Sequence, residues 1–288
     1  MGRLPDFIII GAMKSATSTL QEQLVLQPGI FMSSPKEPNF FSDVDVFSNG
    51  LNWYTSLFEN AKPGDLLGEA STHYTKLPTY PETIKRLKES LPELRLIYVM
   101  RHPIDRLISH YIHEWSMGVF HCDINEAVEK YPELMTYGLY SYQLADYFKA
   151  YGKENILPVF FDRLVSSPQE ELERVCAFIG YHQKPIWHFD LAASNVSSQR
   201  IRRFPFYNLI VESNIATYLR RKLIPQSFRD KVKKNLTMQS RPQLNEINLL
   251  NLTNAFDDDV KKLGDLLGIE LNCDNFKENT RSNALNWV

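Results

Sequence analysis

Apolar positions in this chain fall into short runs that alternate with helical periodicities. Phe7–Gly11 reads FIIIG, a β-branched run with Pro5-Asp6 before it and glycine at its end, and predicts a fully buried parallel strand. Residues 15–19 read Ser-Ala-Thr-Ser-Thr and lead into LQEQLVLQ, where a serine or threonine caps a helix carrying Leu20, Leu24 and Val25 on one face. The order then repeats. Residues 94–100 (LRLIYVM) predict a strand, Arg101-His102-Pro103 turns the chain, and residues 104–115 predict a helix with Pro103 in its first turn. Residues 156–161 (ILPVFF) predict a third strand, weakened by Pro158, and residues 66–71 (LLGEAS) a fourth.

Helical patterns at 82–90, 140–151 and 169–179 lie between the strands. This alternation predicts an α/β fold, a central parallel β-sheet covered by helices on both faces. From 206 to 267 the periodicity is helical without clear strands, so a helical C-terminal portion packs onto the same core. No internal repeat, low-complexity tract or Pro/Gly-rich linker divides the chain. One domain over 1–288 is the expectation, with the α/β core at 5–200 and C-terminal helices to 275.

Composition adds little that competes with this picture. The 288 residues are 43% hydrophobic, enough for a sizeable core, which excludes disorder and a small disulfide scaffold. Thirty-two basic against 34 acidic side chains leave a net charge of -2, without the footprint of a nucleic-acid binder. The charge is uneven, however: ten basic residues stand against Glu212 and Asp230 between 200 and 234, a net +8. That segment is either a solvated helical face or a contact to an anionic ligand, an acceptor or a lipid surface. Cys122, Cys176 and Cys273 are odd in number and widely spaced, which predicts buried, reduced thiols. No run approaches the roughly 20 apolar residues of a membrane helix, and the start resembles no secretory leader, so a cytoplasmic protein is expected.

The first strand-loop-helix carries chemistry. Gly11 permits a turn, the helix N-terminus aims backbone amides and positive potential at the loop, and Lys14, Ser15, Thr17, Ser18 and Thr19 add donors. The result is an anion cradle. In a Walker A loop the lysine follows a second glycine and precedes a magnesium-binding hydroxyl; here Lys14 comes three residues after Gly11 without that glycine. In the second unit Arg101 sits at the carboxyl end of a strand and Ser109 two helical turns on, both within reach of one phosphate, whereas the plainer reading of Arg101 is a surface ion pair. His110 and His113 share a helical face but lack a further metal ligand at useful spacing, and are read as packing residues. The tyrosines from 137 to 151 fall at core spacing.

Together these motifs resemble those of sulfotransferases that use 3'-phosphoadenosine 5'-phosphosulfate (PAPS). The Lys14 loop is similar to that family's 5'-phosphosulfate loop, and the Arg101-His102-Pro103 unit with Ser109 to its 3'-phosphate motif, 87 residues on. Residues 34–41 (SPKEPNFF) are similar to the KExHFF segment of the heparan-sulfate and bacterial carbohydrate branch, and residues 68–71 (GEAS) match a segment that approaches the acceptor there. The likeness runs from Asp6 to about Leu271.

The resemblance implies a P-loop-like sheet and transfer of a sulfuryl group to a hydroxyl of a carbohydrate-type or other alcohol acceptor, with no metal. It assigns Lys14, Ser15, Ala16, Thr17, Ser18 and Thr19 to the 5'-phosphosulfate, Arg101 and Ser109 to the 3'-phosphate, and Ser198, Arg200 and Arg202 to a loop closing over the nucleotide. It nominates Glu37 as general base, with His73 as second candidate because it follows GEAS and titrates near neutrality. Ala16 replaces a glycine common in the first loop, tolerable if that residue is already helical. Asn39 replaces the histidine of KExHFF, and Ala70 stands where some heparan-type enzymes have a lysine. The competing readings are a P-loop kinase using ATP and magnesium, and a catalytically silent nucleotide-binding scaffold.

Overall fold

The computed structural model describes residues 2–191, 238 and 240–288. Ser198, Arg200, Arg202 and the basic 200–234 segment lie outside the described residues. Five strands, β1 (Phe7–Gly11), β2 (Ile30–Met32), β3 (Leu66–Ala70), β4 (Arg95–Met100) and β5 (Ile156–Phe160), form one sheet in the order β2-β3-β1-β4-β5. Every pairing is parallel. β1 is central: Ile9 stands beside Ala70 on one side and Ile97 on the other.

Alternate strand residues face opposite layers, as the pleat requires. Ile8, Ile10, Leu96, Tyr98 and Met100 pack on one face with Leu87 of α4 (Thr83–Ser90) and Leu144 and Tyr147 of α8 (Tyr140–Tyr151). Val260 and Leu263 of α11 (Glu246–Leu267) join that layer, which places the C-terminal helix on the same core. Phe7, Ile9, Ile97 and Val99 pack on the other face with Leu20 and Leu24 of α1 (Thr17–Val25) and Leu172, Val175 and Ile179 of α10 (Pro168–Ile179). The predicted helix at 104–115 is α5 (Pro103–Ser116), with Pro103 in its first turn. α9 (Phe161–Ser166) and α12 (Phe276–Ser282) complete the elements that matter below. The α8 and α11 helices are tied by Asp259, whose carboxylate accepts the amides of Ser141 and Tyr142, both at 3.0 Å, satisfying first-turn donors of α8 from a neighbouring helix. Of the tyrosines read as core, Tyr137, Tyr140, Tyr147 and Tyr151 are buried but Tyr142 is exposed; Cys176 and Cys273 are buried, Cys122 is half-buried, and all three thiols are free.

Three local expectations need correction. Strand β2 is missing from the sequence reading because it is three residues long and pairs on one side only, too short for alternation to register. Pro158 does not weaken β5, because β5 is an edge strand with a single neighbour and its proline carbonyl accepts from the Arg174 guanidinium. At α1, no serine or threonine side chain caps the helix: Ala16 is the N-cap, left-handed at φ 72° and not helical, and Val25 faces solvent at 53% exposure. Val25 sits about 100° round the helix from Leu24, off the buried stripe.

A left-handed alanine costs about 1–2 kcal/mol that glycine avoids, less the entropy glycine adds to the unfolded chain. Ala16→Gly is therefore expected to raise the unfolding free energy by about 0.5–1 kcal/mol in urea titration. A loss of stability would show that the alanine methyl makes compensating contacts.

Candidate active site

Loops leaving the carboxyl ends of the strands converge at one edge of the sheet, where ligand sites of open α/β sheets form. The first loop follows β1, and its Ala12 amide donates to Val99 O at 2.7 Å. Lys14 and Ala16 are both left-handed, at φ 69° and 72°, which coils the loop under the start of α1. The first intrahelical bond runs from Leu20 N–H to Ala16 O at 3.1 Å, so the amides of Thr17, Ser18 and Thr19 precede it and face the loop. Ser15 and Thr17 are buried there, and Lys14 is half-buried.

Arg101 enters this loop from the end of β4. Its guanidinium donates from Nη1 to Lys14 O at 3.4 Å and lies 4.4 Å from the centre of the Phe161 ring. Tyr140 pins the Arg101 backbone, donating its hydroxyl to the carbonyl at 2.5 Å and accepting the amide at 3.2 Å. Arg101 Nε is buried with no hydrogen-bond partner, so the residue is not the surface ion pair of the plainer reading. Ser109 is buried on α5; among the described residues no hydrogen bond joins it to Arg101.

The loop after β2 supplies Glu37. Its amide donates to Ala70 O at 3.1 Å, its backbone is left-handed at φ 52°, and Thr72 Oγ1 donates to Oε1 at 3.3 Å. Neighbouring Lys36 reaches across and donates from Nζ to Ser18 Oγ on α1, linking the Glu37 loop to the Lys14 loop. Burial pulls the Lys36 ammonium below its usual range, opposed by Glu37 and Glu22.

His73 follows in the 3-10 turn Thr72–Thr75, half-buried and stacked on Tyr80 at 4.8 Å. Burial first, then the Lys76 charge, pull it down to about 4, so the expectation that it titrates near neutrality is corrected. It is neutral at physiological pH. Lys76 is 9% exposed, lies 5.7 Å from the Tyr137 ring centre and is pulled down to about 8 by burial, with Glu37 and Glu114 opposing. His110 stacks on Tyr137 at 5.7 Å and pairs with Glu114 at 3.6 Å, a packing role as read from sequence. Sequence reasoning missed Lys36 and Lys76 as site residues. Lys36 adjoins Glu37 and was visible as a neighbour only; nothing local marks Lys76.

Beside the Lys14 loop lies a cavity of about 330 Å³, its apolar wall formed by Ala16, Phe161, Trp187 and Phe189, with Thr19 and Gln23 at its edge. No helix among the described residues is long and apolar enough to cross a membrane, and none of those residues form a His/Cys/Asp/Glu group able to hold a metal.

A parallel sheet with an anion-cradling first loop and an arginine at the end of β4 defines a P-loop-like α/β protein. Residues 4–208 match the family described as the sulfotransferase domain, and the chain belongs to that family. Over 111 residues it is 37% identical to the membrane-associated sulfotransferase kil1 of Dictyostelium discoideum, covering 38% of this chain and 22% of that protein. Over 187 residues it is 29% identical to heparan sulfate glucosamine 3-O-sulfotransferase 6 of Homo sapiens, covering 62% of this chain and 53% of that one. The chain thus spans about half the length of that human relative and about a fifth of kil1. The fold is similar to the crystal structure of a sulfotransferase from Alicyclobacillus acidocaldarius, with TM-score 0.65 and 22% identity over 93% of this chain and 98% of that one.

The low value for His73 has a sign that is open to test. The unfolded chain binds the proton near 6.5 and the folded one only near 4, so His73 erodes stability as pH falls through that window. NMR of the ring is expected to show no titration between pH 8 and 5.5, and His73→Gln to flatten the pH dependence of unfolding between 6.5 and 4. A midpoint near 6.5 would contradict the buried, stacked placement.

Proposed function

We propose that this chain is a PAPS-dependent sulfotransferase acting on a hydroxyl of a carbohydrate-type acceptor. The observation that carries this reading is the Arg101 guanidinium seated on the Lys14 carbonyl, with Arg101 Nε buried and lacking, among the described residues, a hydrogen-bond partner of the kind a phosphate oxygen would supply. The donor set fits a doubly phosphorylated nucleotide. Lys14, Thr17, Ser18 and the amides of 17–19 would hold the 5'-phosphosulfate, and Arg101 with Ser109 the 3'-phosphate. The cavity walled by Phe161, Trp187 and Phe189 is of a size and polarity to take the base. Ser198, Arg200 and Arg202 keep the closing role that the resemblance implies for them.

PAPS supplies the sulfuryl group and a leaving 5'-phosphate. Lys14 and the helix amides stabilise the negative charge that develops there, without rearranging as it forms. Glu37 accepts the proton of the acceptor hydroxyl, with Thr72 holding Oε1 and leaving Oε2 for that proton. His73, stacked on Tyr80 and pulled down to about 4, is a poor base at pH 7 and is not given that role. A sugar acceptor is supported by the human relative, named for the glucosamine of heparan sulfate.

Calorimetric titration with 3',5'-adenosine bisphosphate, ATP-magnesium and 5'-AMP tests the cofactor. Tight binding of the bisphosphate alone is expected, and preference for ATP-magnesium would replace this reading with a kinase. Arg101→Ala is expected to weaken the bisphosphate selectively; equal loss for 5'-AMP would contradict its placement. Glu37→Gln should leave nucleotide affinity intact and lower kcat by about 10²-fold or more, and retained turnover would remove Glu37 from the base role.

A further inference from the structure

Glu69, near the carboxyl end of β3, is completely buried, yet neither the nucleotide nor the acceptor step uses it. A carboxylate in such a position is costly unless fully hydrogen-bonded. The Tyr54 hydroxyl donates to Oε2, Ser71 Oγ donates to Oε1 at 2.6 Å, and the Tyr74 hydroxyl faces the same group. A hydroxyl has one proton to give and two lone pairs. With the Ser71 proton committed to Glu69, its oxygen accepts the backbone amide of Asn39 at 3.1 Å; the Tyr74 oxygen likewise accepts the amide of Phe41 at 3.4 Å. Both amides belong to the loop that carries Glu37, whose residues 37 and 39 are left-handed at φ 52° and 53°. Glutamate does not adopt that conformation without support.

We propose that Glu69 is a positioning residue for Glu37: it fixes the proton directions of Ser71 and Tyr74, and those hydroxyls hold the 37–41 backbone with Glu37 set against Thr72. The inference rests on the reading of Glu37 as general base. Burial pushes the Glu69 carboxyl above its usual range and the Ser71, Tyr54 and Tyr74 hydroxyls act against that; the acceptor-only carboxylate those donors favour is the essential feature. An amide at position 69 would donate to one hydroxyl, which would then turn its own proton toward the loop N–H it now accepts.

Glu69→Gln is expected to lower kcat about tenfold or more, as misplacing a reacting group does, with bisphosphate affinity within about twofold. In a Glu37→Gln background the same change is expected to cost little further turnover, since there is no base left to misplace. Equal losses in both backgrounds would mean general damage to the fold and overturn the proposal. Ser71→Ala severs only the Asn39 arm and is expected to reproduce part of the loss, with Ser71→Thr restoring it. Hydrogen exchange at the Asn39 and Phe41 amides is expected to quicken about tenfold in Glu69→Gln, reporting local opening of the loop. Unchanged exchange overturns the proposal whatever the activity. Full turnover in Glu37→Gln overturns the base reading and this proposal together, whereas a slow Glu37→Gln beside a fully active Glu69→Gln overturns this proposal alone.

Discussion

Pairing of β1 with β3 on one side and β4 on the other fixes where the chemistry can occur. Because Ile9 is level with both Ala70 and Ile97, the chain leaves all three strands at one edge of the sheet. Lys14, Thr72 and Arg101 arrive there from distant parts of the sequence. The junction is tight: a side chain at Gly11 would place its Cβ 2.0 Å from Thr75 Oγ1, which itself donates to Ile10 O at 2.9 Å. Only glycine lets the 3-10 turn after β3 close over the end of β1.

Conformational cost is concentrated at the same edge. Among the described residues, the non-glycine positions with positive φ are Lys14, Ala16, Glu37 and Asn39, two in each of the adjoining loops. At about 1–2 kcal/mol each these conformations would relax in isolation. The surroundings over-determine them: Arg101 holds the Lys14 carbonyl, Ser71 the Asn39 amide, Ala70 O the Glu37 amide, and Lys36 bridges from one loop to the helix of the other. Every one of those anchors is long-range in sequence, so the site exists only once the sheet and both its helical layers are assembled.

That dependence explains what could be read in advance. Periodicity disclosed β1, β3, β4, β5 and the helices α1, α4, α5, α8 and α10, because each buries a stripe: α5 packs Leu107 and Tyr111 with Phe120, Leu134 and Phe256, and the others pack into one of the two layers on the sheet. Lys14 and Arg101 were legible because they follow strands that periodicity discloses, beside distinctive turn residues, whereas Glu37 was reached only through the resemblance carried by residues 34–41. Ala16 and His73 were misjudged for a shared reason. The left-handed cap of the first is set by the loop's path beneath α1, and the low proton affinity of the second by burial against Tyr80 and the nearby Lys76 charge. Both causes lie in the folded path of the chain and in burial, which residue type does not encode even where the neighbours are close in sequence. Lys36 and Lys76 were missed on the same grounds, their importance coming from Ser18 and Tyr137 across the cleft.

Electrostatics draw these loops into a single preference. Lys36, Lys76, Arg101 and the fully buried Arg106 are each pushed below their usual range, desolvation being the largest cause in every case. Nearby carboxylates, Glu37 and Glu114 at Lys76 and Asp105 at Arg101, offset this only in part. A multiply charged anion seated among such cations restores the interactions that burial removed, at a lower effective dielectric than water provides. The same groups therefore do two things. On the proposed reading they would favour a ligand with phosphates at both ends over one with a single phosphate, and would couple its binding to the stability of the loops that hold Glu37.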